Sequence, residues 1–226
     1  MIENYKKILG LMSGTSMDGL DMCLAEVSLD NNYSLDYKII NTNYEEFDND
    51  TIEFIRKNIV NNNYLDDLNQ YLGKKYLDIV KKYYSKYDMD LISMHGQTIN
   101  HINRVKSVQA GNPKFLHDKY QVPVIYNFRY ADIQKGGTGA PLMPFLDWLL
   151  FKKYHTDVIT LNIGGISNIS CIRRESKINQ VIGFDTGPGM SLIDEFVLLK
   201  WNVRYDSEGL LASKGKINSN LLILSY

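Results

Sequence analysis

The sequence predicts an α/β protein of two lobes, with mixed sheets flanked by helices. Three observations carry that prediction. Strand-like apolar runs open the chain as a meander. A stretch of helical periodicity follows. The second half then repeats the plan of the first, with a polar, glycine-rich loop at the end of a strand. A chain of 226 residues suffices for one large domain or two small ones, and 44% hydrophobic with 23% charged residues is the profile of a globular core-former.

Residues 7–13 read as a buried strand and residues 20–29 as its partner, with Gly14-Thr15-Ser16-Met17-Asp18-Gly19 as the turn between them. A third strand is expected over 33–42, after the turn signal Asp30-Asn31-Asn32. Helices follow over 51–60 and 64–86, where Leu65, Leu68, Leu72, Tyr76, Ile79, Val80 and Tyr83 recur at three- and four-residue steps. Asn61-Asn62-Asn63 should separate the two helices. A strand over 89–94 leads into a loop beginning His95-Gly96-Gln97-Thr98. A short helix over 113–119 and a strand over 122–127 close the first half. Apolar strand gives way near 127–137 to charged residues and glycine, so the lobes are expected to be 1–130 and 131–226. The second half continues with the loop Gly136-Gly137-Thr138-Gly139-Ala140-Pro141 and a helix over 143–154. Strands at 158–163, 166–173 and 180–184 come next. The loop Asp185-Thr186-Gly187-Pro188-Gly189 precedes a helix to about residue 200, and a helical tail is expected from Lys216.

Composition narrows the function. Net charge is −1, so no basic excess points to nucleic acid. The longest apolar run, 142–151, is too short to span a bilayer, and the N-terminus has no signal-peptide pattern, so no membrane partner and a cytoplasmic location are expected. Cys23 and Cys171 are far apart in strand-like runs and read as buried thiols. There is no CxxC pair, and His95 and His101 lack zinc-helix spacing.

Chemistry concentrates in the glycine loops. Glycine lets backbone amides approach a phosphate closely, hydroxyls add donors, and a neighbouring Asp can hold Mg²⁺. Residues 14–19 offer all three, although one such loop is also an ordinary hairpin turn. The loop at 185–189 repeats the logic and adds a helix N-terminus that favours anions. No GxxxxGK[ST], no GxSxG elbow and no GxGxxG fingerprint is present. Two carboxylate-plus-glycine loops in separate halves suggest a cleft that grips a polyphosphate from both sides.

Six stretches together resemble the signatures of anhydro-N-acetylmuramic acid kinases, members of the actin-like, ribonuclease H-like sugar-kinase superfamily. They are Gly10 to Asp21, His95-Gly96-Gln97-Thr98-Ile99-Asn100-His101, Asn127-Phe128-Arg129 through Asp132, Gly136 to Leu142, Leu161-Asn162-Ile163-Gly164-Gly165-Ile166-Ser167-Asn168, and Gly183 to Gly189. The resemblance implies a two-lobed actin-like fold. It also implies an enzyme that uses ATP and Mg²⁺ to open the 1,6-anhydro ring of anhydro-N-acetylmuramic acid and phosphorylate O6, a step of cell-wall recycling. By that resemblance Gly14, Thr15, Ser16, Met17, Asp18, Gly19, Leu20 and Asp21 wrap the ATP phosphates, joined by Thr186 and Gly187. Asp185 is the general base that activates water for attack at C1, and Asp18 and Asp185 hold the metal. His95, Arg129 and Asn162 line the sugar side.

The chain departs from the family's pattern at Met190, where Asn is usual, and at Asn127, where Asp is usual. Family members also continue past this point with a further glycine-rich loop for the adenosine. Only Gly209 and Gly215 follow Gly189 here, so the second lobe is expected to be incomplete. The partners implied are the sugar and ATP, with a second copy of the chain or a complementing C-terminal fragment as protein partner. A non-catalytic remnant or half of a split kinase, and another phosphotransferase on the same fold, are the alternative readings.

Overall fold

The computed structural model describes residues 5–61 and 65–220. Strands β1 (Lys6–Ser13), β2 (Gly19–Leu29) and β3 (Leu35–Glu46) form the opening antiparallel meander. Helices α1 (Asn49–Asn61) and α2 (Leu65–Tyr84) cross over to β4 (Leu91–Ile102), which lies parallel to β1. The far edge of β4 is shared. Its first half pairs in parallel with β6 (Val124–Tyr126), and its second half pairs antiparallel with β5 (Lys106–Ala110). The sheet order is β3-β2-β1-β4-β5, with β6 beside β4, and α3 (Lys114–Tyr120) joins β5 to β6.

Period-2 alternation decides which face of this sheet is covered. Leu9, Leu11, Leu20, Met22, Leu24, Ile92 and Met94 are at most 2% exposed and pack with Ile55, Leu68, Leu72, Tyr76 and Val80 of α1 and α2. The opposite face carries Gly10, Met12, Asp21, Cys23, Thr42 and Ser93, which line an open cavity of about 660 Å³. Helix α4 (Phe128–Gln134) leads away from this sheet.

Helix α5 (Met143–Phe151) then lies on a second sheet, β7 (Val158–Ile163), β8 (Ile166–Ile172) and β9 (Ile182–Pro188), all antiparallel. Asp147 of α5 is buried and accepts hydrogen bonds from Thr160 (2.7 Å) and Ser170 (2.6 Å), which fixes the helix on β7 and β8. At Gly183 an added Cβ would come within 2.2 Å of Pro144 Cγ, so only glycine admits α5 this close. Helix α6 (Met190–Trp201) follows β9. Leu35, beside the β2–β3 turn, joins the small core of Trp148, Leu149 and Ile172, and the Tyr33 ring meets Trp148 edge-on at 5.5 Å.

The mixed α/β class, with a mixed sheet flanked by helices, agrees with the actin-like expectation. Several local expectations need correction. His95 to Thr98 is strand, not loop: β4 runs through it to Ile102 and pairs with β5, a strand absent from the sequence reading. Asp185 to Pro188 is likewise the end of β9. Helix α4 was not expected. The break at Asn61-Asn62-Asn63 falls mainly outside the described residues, as does most of the tail helix expected from Lys216. Short 3-10 turns (Ser207–Gly209 and Ala212–Lys214) precede that tail.

Candidate functional site

The first glycine loop is held from below. β1 ends at buried Ser13, whose hydroxyl donates to Gln97 Oε1 (2.5 Å), and Gln97 Nε2 donates to the Gly14 carbonyl (3.0 Å). Gln97 is fully buried on β4, so the first loop is tied to the neighbouring strand. Within the loop Met17 takes a left-handed φ of 59°, its amide donates to Gly14 O (3.2 Å), and Ser16 Oγ donates to Asp18 Oδ1 (2.7 Å). Thr15, Ser16 and Asp18 face solvent. Leu20, expected among the phosphate residues, is 1% exposed and belongs to the core, so its side chain is not available to a ligand. At Gly19 an added Cβ would come within 2.4 Å of the Glu45 carbonyl.

The second loop reaches the first through a hairpin turn. Gly164-Gly165, between β7 and β8, sits so close to the first loop that a Cβ on Gly165 would lie 2.8 Å from Thr15 Oγ1. The same turn caps α6. Gly165 O accepts from Gly189 N (2.9 Å), Ser191 N (3.3 Å) and Ser191 Oγ (2.6 Å), and Gly164 O accepts from Met190 N (2.8 Å). The helix start expected to offer free N–H groups to an anion therefore has most of its orphan donors paired within the chain. Met190 makes this contact through its backbone, which any side chain at that position leaves available.

Carboxylates crowd beside the first loop. Desolvation first, and then the Asp18 charge, raise the carboxyls of Asp21 and Asp194 above their ordinary range. Asp194 Oδ1 is buried without a partner. Thr15, Asp18, Arg56, Ser191, Asp194 and Arg204 line a cavity of about 570 Å³ between α1 and α6. A hard divalent cation takes oxygen ligands, few of them from protein, and relieves such crowding. The acidic set around Asp18 fits Mg²⁺ in that sense, although among the described residues no three ligating side chains converge. Asp18 acts on Asp21 and Asp194, whereas Asp185, the other expected ligand, acts on Arg129.

The sugar-side candidates come from both sheets. In the strand register Asn162 of β7 faces Asn168 of β8, and Asn168 faces Asp185 of β9. Facing residues on adjacent strands project to one side, so the three polar side chains form a row. Asn168 was quoted in a motif but given no role; strand pairing is the signal that places it. Arg129, on α4, is close enough to this row for the Asp185 charge to act on it. Its Nε donates to His95 Nε2 (2.9 Å) and its Nη1 to the Gly139 carbonyl (2.9 Å). Burial lowers the Arg129 pKa, and the Asp185 charge works in the opposite direction. One turn along α4, Asp132 Oδ2 accepts from Gly139 N (2.8 Å) and so holds the loop that holds Arg129. Asn127 occupies the left-handed region at φ 64°, which Asn tolerates, and makes no side-chain cap bond. A cavity of about 990 Å³ touches this constellation at His95 and Asn127.

A sequence profile described as anhydro-N-acetylmuramic acid kinase matches residues 6–224. The chain is 39% identical over 229 residues to a protein of that name from Clostridioides difficile, covering 95% of this chain and 60% of the relative. It is 34% identical to one from Caldanaerobacter subterraneus subsp. tengcongensis (97% and 60%) and 33% identical to one from Francisella tularensis subsp. novicida (98% and 62%). The chain thus spans about 60% of the length of these curated relatives.

Proposed function

The chain belongs to the anhydro-N-acetylmuramic acid kinase family, and from that premise we propose that it carries the sugar- and phosphate-binding part of an ATP-dependent kinase. In this reading the enzyme hydrolyses the 1,6-anhydro bond of anhydro-N-acetylmuramic acid and phosphorylates O6, acting in the cytoplasm on amino sugars released from the cell wall. The lobes divide at about residue 130, in keeping with the membership of the two sheets. No helix among the described residues is long and apolar enough to cross a membrane.

The observation that carries this reading is the row Asn162, Asn168 and Asp185, whose Asp185 charge acts on Arg129, beside two glycine loops brought together by Gly164-Gly165. Asp185 takes a proton from water as its oxygen attacks C1. The C1–O6 bond breaks, and O6 takes the γ-phosphoryl group of ATP, leaving ADP. Asn162 and Asn168 orient the sugar, and Arg129 offers a fixed cation to its carboxylate. The exposed residues of the first loop, Thr15, Ser16 and Asp18, face the phosphates, and Asp18 is the residue that would hold Mg²⁺. The ion's contribution when bound is neutralisation of phosphate charge.

A product assay tests this. The purified chain, given the anhydro sugar, Mg²⁺-ATP and isotopically labelled water, should yield N-acetylmuramic acid 6-phosphate with the label at C1. Asp185→Asn should lower turnover by roughly 10²- to 10⁴-fold while changing sugar affinity little. Near-normal turnover in that variant removes Asp185 from the role of base.

A second reading concerns the protein partner and rests on a specific surface. The face of the second sheet away from α5 is apolar and open: Ile159, Leu161, Ile163, Ile182 and Phe184 are 48 to 70% exposed. Such a face marks an interaction surface. Its proposed occupant is the part of the family sequence that this chain does not span, in the same polypeptide or in another. Co-expression with the unmatched portion of the Clostridioides difficile relative should give a 1:1 complex by native mass spectrometry. Leu161→Glu should abolish that complex, and a complex indifferent to Leu161→Glu rules this face out.

A further inference from the structure

His95 stands on the open side of β4, at 8% exposure, and both of its ring nitrogens have partners. Nδ1 lies 2.7 Å from the Gly96 carbonyl. A carbonyl only accepts, so Nδ1 carries the hydrogen. Nε2 lies 2.9 Å from Arg129 Nε. A guanidinium nitrogen only donates, so Nε2 is bare. The two bonds together favour one neutral tautomer, since an imidazolium has no acceptor to offer Arg129; burial and the Arg129 charge act the same way, against the pull of the Gly96 and Ser13 carbonyls. Gly96 makes the first bond through its backbone at φ 77°, in a position where a Cβ would come within 2.8 Å of the Ala110 carbonyl.

We propose that His95 is a positioning residue: a neutral hydrogen-bond acceptor that sets the direction of the Arg129 guanidinium without touching the sugar itself. This rests on the reading that Arg129 faces the sugar. The expectation that His95 lines the sugar is thereby replaced by an indirect role. With Nε held by His95 and Nη1 by Gly139 O, the guanidinium plane is fixed at two points. The Asp185 charge acts on the guanidinium so held. Fixing a fork of donors in advance lowers the ordering cost of each bond it makes to a carboxylate.

Two measurements on the full chain test the proposal. Long-range ¹⁵N–¹H spectra of histidine in the unmodified protein should show His95 as the Nδ1–H tautomer at neutral pH; an Nε2–H tautomer or an imidazolium overturns it. Calorimetric titration with the anhydro sugar then compares variants. His95→Phe should weaken sugar binding roughly 10- to 100-fold, with nucleotide affinity unchanged. His95→Gln, which restores an acceptor near the Nε2 position, should recover most of the loss. Equal losses in Phe and Gln, equal losses for both ligands, or no loss in Phe overturn it. Arg129→Gln separates the two levels. If it leaves sugar binding unchanged, the placement of Arg129 at the sugar fails and the proposal fails with it. If it weakens binding while His95→Phe does not, only the role of His95 fails.

Discussion

Single residues decide how closely neighbouring backbone segments approach. Gly189 is the sharpest case: a Cβ there would lie 2.2 Å from the Gly164 carbonyl, which is backbone and already accepts from Met190 N. Gly189→Ala should cost about 1–3 kcal/mol, the range of an overpacked contact, read as a lower urea midpoint at unchanged m-value. Gly165 differs, because its nearest atom is the Thr15 hydroxyl, which can rotate away. Residue-scale chemistry was the most legible part of the sequence. Glycines beside Asp and Thr marked the loops, because few other residue types serve where backbones must nearly touch. Side-chain direction was not legible. Leu20 lies within the first motif yet points into the core, and Asn168 lies within another yet joins Asp185 only through strand register.

At the scale of elements, periodicity found the helices and the meander, and failed where short strands and short helices carry polar residues. Gly96 suggested a loop, but it marks a local irregularity in β4, next to a register shift between Thr98 and Asn100. Helix α4 is seven residues long with mixed polarity, and its start depends on a left-handed Asn127, so no period betrays it. Helix α1 shows an element set by its flank. Asp48 Oδ1 accepts from Thr51 N (2.8 Å) and Thr51 Oγ1 (2.7 Å), and Oδ2 takes Lys75 Nζ of α2. The Lys75 bond first, and the Thr51 bonds after it, hold the Asp48 carboxyl below the usual carboxylate range. A lowered folded pKa means that the stabilisation is present above the unfolded value, about 3.9, and is lost as pH falls below it. Asp48→Ala should cost about 1 kcal/mol at neutral pH. Asp48→Asn, which keeps the cap, should cost less and should flatten the fall in melting temperature on the acid side. A parallel acid profile in wild type and Asp48→Asn would remove Asp48 from that account.

At the scale of the whole molecule, the division of burial is uneven. Among the described residues the first sheet owns nearly all the fully buried side chains, while the buried members of the second core are Trp148, Leu149 and Ile172. Besides the packing of Leu35 and Tyr33 on the second core, polar bonds connect the halves. Arg204, beyond α6, donates to Glu46 Oε1 (2.5 Å), and Lys152 reaches the Tyr33 carbonyl at the β2–β3 turn. Composition foretold a foldable chain but not this asymmetry, since an apolar strand reads the same whether or not something covers it. The open Ile159–Leu161–Ile163 face is visible only once α5 is seen on the other side.

The turn at Gly164-Gly165 has one further consequence. Its two carbonyls hold the start of α6, and its outer edge lies beside Thr15 with no side chain between them. An anion that presses the first loop toward the turn would push on those carbonyls, and through them on the start of α6. Asp185 lies just upstream of that helix on β9, so crowding at one glycine loop has a short path to the carboxylate near the other.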